Sequence, residues 1–128
     1  MDWYQDVRDF HAKHGLLIGD RPTFPDQNEI QFRENLILEE IKETLQAIQD
    51  RNLVELADGI ADSIYVLLGC AISFGVDLRP VWEEVQKSNM SKDTGDKRGD
   101  GKVVKGPNFQ PPNIKSILKE QGIVDAGL

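Results

Sequence analysis

The chain has 128 residues, 39% of them apolar and 29% charged, the composition of one ordinary globular domain or of one protomer in a small oligomer. A formal net charge of −7 with no long basic stripe argues against binding to polymeric nucleic acid. The longest nearly uncharged run, residues 63–76, has 14 residues, short of the roughly 20 that a membrane span needs, so no membrane association is expected. The opening MDWYQDV lacks the basic and apolar regions of a secretory signal, and the single cysteine, Cys70, suits a reducing compartment. The expectation is a soluble cytoplasmic protein in which Cys70 is a small core residue.

Taken in chain order, the apolar spacing predicts a helix over residues 2–14, carried by Trp3, Val7 and Phe10 and ended by Gly15. Trp3, Tyr4 and Phe10 read as core residues of that helix. GDRPTFPDQ (residues 19–27) has two prolines and no periodicity, so it reads as a loop closing on Asp26 as N-cap. A long amphipathic helix follows over residues 27–49, with Ile30, Ile37, Ile41, Leu45 and Ile48 at 3/4 spacing. The third helix, residues 53–74, is apolar nearly all the way round. A chain of this size is hard pressed to cover such a helix alone, so partner subunits are expected to supply part of the cover. A fourth helix is predicted over residues 80–91, with Pro80 in its first turn.

Beyond it the composition shifts to Gly, Pro and Lys. RGDGKVV carries an Asp-Gly turn signal for a short hairpin, residues 113–121 suit a last short helix, and IVDAGL reads as a loose tail. The fold class is therefore all-α, a bundle of four to five helices. Residues 1–128 form one domain, with a helical core over about 26–91 and a basic loop and tail over 92–128. Charge follows the same division, with a net of −10 over residues 1–86 and +3 over residues 87–105. An acidic body beside a small basic segment suits a cation and a small polyanion held together.

The acidic residues have a pattern. LEEIKE places Glu39, Glu40 and Glu43 on one helix, where Lys42 answers only one of three charges. DGIAD places Asp58 and Asp62 on one side of the apolar third helix, with Glu55 one turn earlier. Two unit charges about 4 Å apart cost roughly 4 kcal/mol at an effective dielectric near 20, so five converging carboxylates need protons or a divalent cation. If the two helices pack antiparallel through their apolar faces, EEIKE and DGIAD come level and form an all-oxygen site favouring Mg²⁺ or Mn²⁺ over zinc. His11 and His14 lack further metal ligands and read as surface histidines. The chain has neither a P-loop nor a nucleophile elbow, so any phosphate binding falls to side chains of the basic segment.

RENLILEEIKETLQAI (residues 33–48), followed by LADGIADSIYVLLGCAISFGVDLRPVWEEVQKSNMSK (residues 56–92), resembles the MazG-like branch of the all-α nucleoside triphosphate pyrophosphohydrolases. That superfamily includes dimeric dUTPases and phosphoribosyl-ATP pyrophosphohydrolase, and its signature is Glu-Glu-x-x-Glu on one helix with Glu-x-x-Asp or Asp-x-x-x-Asp on the next. GDGKVVKGPNFQPP also looks like members of this branch, which occurs in bacteria and bacteriophages.

The resemblance implies metal-dependent cleavage of a ribo- or deoxyribonucleoside triphosphate between its α- and β-phosphates, giving a monophosphate and pyrophosphate, in nucleotide-pool control or house-cleaning. It places Glu39, Glu40 and Glu43 on the first motif and Asp62 on the close of the second. Gly59 stands where a Glu-x-x-Asp member has its glutamate, so this chain reads as the Asp-x-x-x-Asp variety, with Asp58 binding metal directly or through water. Glu40, Glu43, Asp58 and Asp62 would hold Mg²⁺, or Mn²⁺, while Glu39 orients or deprotonates the attacking water; Glu39 and Glu40 can exchange these roles. Lys87, Asn89 and Lys92 fall where related proteins contact nucleotide and phosphate, with Lys102 and Lys105 as weaker candidates. The resemblance also implies a homodimer or a homotetramer built as a dimer of dimers. Two alternatives remain open: an enzyme acting on phosphoribosyl-ATP, and a non-catalytic metal-binding interaction module.

Overall fold

A computed structural model describes residues 1–92 and 97–124. It has five helices: α1 (Trp3–His14), α2 (Gln27–Gln49), α3 (Leu53–Ser73), α4 (Leu78–Met90) and α5 (Ile114–Glu120). Among the described residues there is no strand, and the chain is all-α as expected. An antiparallel bridge, Lys97 to Val103, closes the turn in RGDGKVV. Residues 93–96 of the basic loop and 125–128 of the predicted tail lie outside the described residues.

Local chemistry sets the helix ends. Asp2, Asp26, Asn52, Asp77 and Asn113 each cap a helix with a side-chain oxygen, which accepts from Gln5 N, Glu29 N, Glu55 N, Arg79 N and Ser116 N respectively. Gly15 ends α1 in the left-handed conformation at φ 67°, and its N–H donates to His11 O. Capping by Asp77 starts α4 at Leu78, two residues before the expected Pro80, and α3 stops at Ser73, one residue before the expected Phe74.

Only Asp50, Arg51 and Asn52 separate α2 from α3, with Arg51 turned to φ 53°. So short a connection folds α3 back along α2 as an antiparallel pair. The pair meets tightly around Thr44, whose Oγ1 lies 3.1 Å from Ser63 Oγ. The α1 helix packs on the C-terminal half of α3, where Tyr4, Val7, Leu68 and Ile72 form the buried cluster, backed by Ile18, Ile64 and Leu78. Tyr4 is thus a core residue as expected, whereas Trp3 and Phe10 are exposed, at 52% and 40%, because the α1–α3 contact runs through Tyr4 and Val7.

Helices α4 and α5 form a second pair. Gln121 brackets the start of α4, accepting from Asp77 N at 3.0 Å and donating to Asp77 O at 2.9 Å. Arg79 then ties this pair to α1 through Asp2, at 2.8 Å, and lies over the Tyr4 ring.

By length and composition α3 could cross a membrane, with a mean hydropathy of 1.5 over its best window, only 33% of which is buried. Carboxylates within a span are costly in lipid, and α3 carries Asp58 and Asp62. With α1 and α2 against it, α3 is the central helix of the bundle.

Candidate active site

The stripe of α2 that faces α3 is polar along much of its length and is not the apolar face expected to meet it, since Ile41, Leu45 and Ile48 are exposed while Thr44 meets Gly59 and Ser63. Glu29, Arg33, Glu40, Thr44 and Ala47 recur on it at intervals of three, four and seven residues, and Arg33 and Ala47 are buried. Opposite Thr44 stands Gly59, where a Cβ would come 2.7 Å from Thr44 Oγ1 and 3.2 Å from Thr44 Cα. Absence of a side chain at Gly59 lets the helix axes approach here. It also explains why this chain lacks a glutamate three residues before Asp62.

One turn before Thr44, Glu40 enters the same interface. Thr44 Oγ1 donates to Glu40 O at 2.8 Å, and the Glu40 side chain is half-buried with Oε2 enclosed and unpartnered. Burial raises the Glu40 carboxyl above its ordinary range, and the negative charges of Glu43, Asp62 and Glu39 push it further in that order. The fold therefore brings Glu40 of α2, with Glu39 and Glu43 beside it on the same helix, into the field of Asp62 on α3.

The five carboxylates are unequal in their surroundings. Glu39, Glu43 and Asp58 are exposed, Glu40 and Asp62 are half-buried, and Asp58 is not among the charges acting on Glu40. Among the described residues, no three acidic, histidine or cysteine side chains stand close enough as they are to hold a metal ion. The donor set around Glu40 is nonetheless all oxygen, includes one enclosed oxygen without a partner, and carries excess negative charge. Those are the properties that a hard divalent cation satisfies.

The candidate phosphate contacts gather elsewhere. Lys87 and Asn89 are exposed on the last turns of α4. Lys92 Nζ donates to Asn89 Oδ1 at 3.0 Å and lies 6.0 Å from the centre of the Phe109 ring. Lys105 Nζ lies over the same ring at 4.8 Å, while Lys102 is exposed on the turn, its N–H donating to Asp100.

A buried polar cluster went unread in the sequence. His11 is 1% exposed and not a surface histidine, unlike His14, which is exposed and packs against Phe10. Its Nδ1 donates to Leu17 O at 2.9 Å, and its Nε2 and Arg33 Nη1 both lie over Gly69, where a Cβ would stand 3.1 and 2.7 Å from them. Arg33 is 3% exposed and pairs through Nε with Glu29 at 2.8 Å, leaving Nη2 enclosed without a partner. Burial, joined by the Arg33 charge, lowers the His11 imidazole below its ordinary value. Burial likewise raises the thiol of neighbouring half-buried Cys70, as befits an inert core cysteine. The signal available in the sequence was Arg33 and Glu29 four apart on the stripe that also holds Glu40.

Two comparisons with known proteins bear on this arrangement. Residues 7–89 match the family model of phosphoribosyl-ATP pyrophosphohydrolase. That span holds all five carboxylates, Lys87 and Asn89, and ends before Lys92 and Lys105. An uncharacterized protein of Acanthamoeba polyphaga mimivirus is 37% identical over a 95-residue alignment that covers 70% of this chain and 38% of that protein. The chain thus spans well under half the length of this curated relative.

Proposed function

Because the chain belongs to the phosphoribosyl-ATP pyrophosphohydrolase family, within the MazG-like superfamily, we propose that it hydrolyses nucleoside triphosphates between the α- and β-phosphates. The observation that supports this most is the half-buried Glu40, with an enclosed, unpartnered oxygen in the field of Glu43, Asp62 and Glu39. A fold does not keep such a charge in its main helix interface for stability, since an unmet buried acceptor costs about 1–3 kcal/mol or more.

Glu40, Glu43 and Asp62, joined by Asp58 directly or through water, would hold Mg²⁺ or Mn²⁺. When bound, the ion supplies charge neutralisation of the phosphate oxygens. Glu39, exposed beside this group, would orient a water and take its proton as the water oxygen bonds to the α-phosphorus. Glu40 is the alternative base. The bond from the α-phosphorus to the bridging oxygen breaks, and pyrophosphate leaves. Lys87, Asn89, Lys92 and Lys105 would bind the phosphates, acting from a neighbouring subunit of a homodimer or homotetramer. Such an enzyme would work on the cytoplasmic nucleotide pool.

The family match also favours a second substrate, phosphoribosyl-ATP, which offers the same α,β-anhydride. One assay separates the readings. Each NTP, each dNTP and phosphoribosyl-ATP is incubated with the protein and Mg²⁺ or Mn²⁺, and the products are identified. Monophosphate plus pyrophosphate from a nucleoside triphosphate is expected; turnover of phosphoribosyl-ATP alone assigns the second substrate. Diphosphate plus orthophosphate, or no turnover at all, overturns the proposal and leaves a metal-binding interaction module.

A further inference from the structure

The segment after α4 is tied back onto that helix at three points. Gln110 N donates to Ser91 Oγ at 2.9 Å, Asn113 N donates to Glu84 Oε1 at 3.0 Å, and Phe109 carries two ammonium groups on its ring. Lys92 comes from the end of α4 and Lys105 from the returning strand of chain, thirteen positions later. Each side chain has four flexible carbons and little reason to hold one conformation alone. The half-buried Phe109 ring gives both a common seat, with centroid distances of 6.0 and 4.8 Å. Asn89 fixes one of them further, accepting from Lys92 Nζ.

We propose that Phe109 is a positioning residue that gathers Lys92 and Lys105 into one clamp for the polyphosphate chain of the substrate. Two like charges seated on one ring repel each other, and a polyanion that accepts from both ammoniums relieves the repulsion. The ring selects for this purpose because its negative face attracts ammonium groups, which an aliphatic side chain of similar bulk does not do. Lys92, Lys105 and Phe109 lie beyond residues 7–89, so this clamp falls outside the matched family span. Its substrate rests on the pyrophosphohydrolase reading, whereas the gathering of the lysines rests on the contacts alone.

The test uses the full-length protein and inorganic tripolyphosphate, titrated calorimetrically without metal at low ionic strength. Phe109→Leu is expected to bind tripolyphosphate about three- to tenfold more weakly than the parent, and Phe109→Trp, which restores the π face, within about twofold of it. In turnover Phe109→Leu should raise KM with kcat kept, a split that general loosening of the fold does not produce. Unchanged tripolyphosphate affinity in Phe109→Leu, equal weakening in both variants, or no binding by the parent overturns the inference. Absence of turnover with every nucleotide defeats the functional reading instead, and the tripolyphosphate titration still decides the role of Phe109.

Discussion

Gly59 and Glu40 show how single residues set the character of this helix pair. A methyl group at position 59 would press on Thr44 Oγ1 and on its Cα, and the helix backbone at Thr44 has nowhere to yield. Gly59→Ala adds helix propensity of about 1 kcal/mol but overpacks by about 1–3 kcal/mol, so a net loss of stability is expected, read as a lower Tm. A higher Tm would mean that the helices separate at no cost. Glu40 carries the opposite expectation: replacing an enclosed, repelled carboxylate by an amide should raise the Tm in chelator at neutral pH. The same Glu40→Gln change, like Asp62→Asn, should abolish turnover with helical content kept on circular dichroism. Retained activity in both variants means that the site lies elsewhere. The clustering of Glu39, Glu40 and Glu43 was legible in the sequence because helical periodicity alone puts them on adjoining faces of α2, and Asp62 joins them only through the packing of α3 on that helix. Which glutamate is enclosed was not legible, since it depends on the depth to which Gly59 lets α3 settle against α2.

At the scale of elements, α1 and α2 hold testable features of different origin. Asp26 accepts from Glu29 N at 2.9 Å, a cap readable from the sequence, and Asp26→Ala should cost about 0.5–2 kcal/mol in denaturant unfolding. His11 locks α1 to the other helices in a way that was not readable. Its folded pKa lies below its ordinary 6.5, so between the two values the unfolded chain binds more protons. Stability is therefore full above about pH 6.5 and falls as the pH drops through that value towards the folded pKa. The charged groups that face His11 are Arg33, which opposes its protonation, and Glu29, which favours it, with Arg33 the stronger. Melting curves between pH 7.5 and 5 should show this loss, and His11→Gln should flatten it. The histidine looked like a surface residue because α1 alone has polar neighbours at Lys13 and His14. Only the packing of α2 and Gly69 over it makes it internal.

For the whole molecule, apolar side chains of both α2 and α3 are left bare. Leu38, Ile41, Leu45 and Ile48 of α2 are exposed, with Leu45 at 54%, and Leu53, Ile60 and Leu67 of α3 are exposed as well. Apolar area this extensive on a small chain marks an interaction surface. The proposed oligomer would cover it, so light scattering should report a dimer or tetramer, and Leu45→Glu should shift the protein to the monomer with its helices intact. A monomeric parent protein refutes that expectation. Helix boundaries to within two residues, the Asp26 cap, the Gly15 stop, the all-α class and the two carboxylate motifs were determined by the sequence by itself, because each depends on neighbours within about one or two turns. The tertiary structure decided that Glu40 is enclosed, that Gly59 is a contact and not a missing ligand, that His11 and Arg33 are internal, and that Lys92 and Lys105 share one ring. Those outcomes depend on which faces meet between segments far apart in the chain, and no local periodicity encodes that meeting.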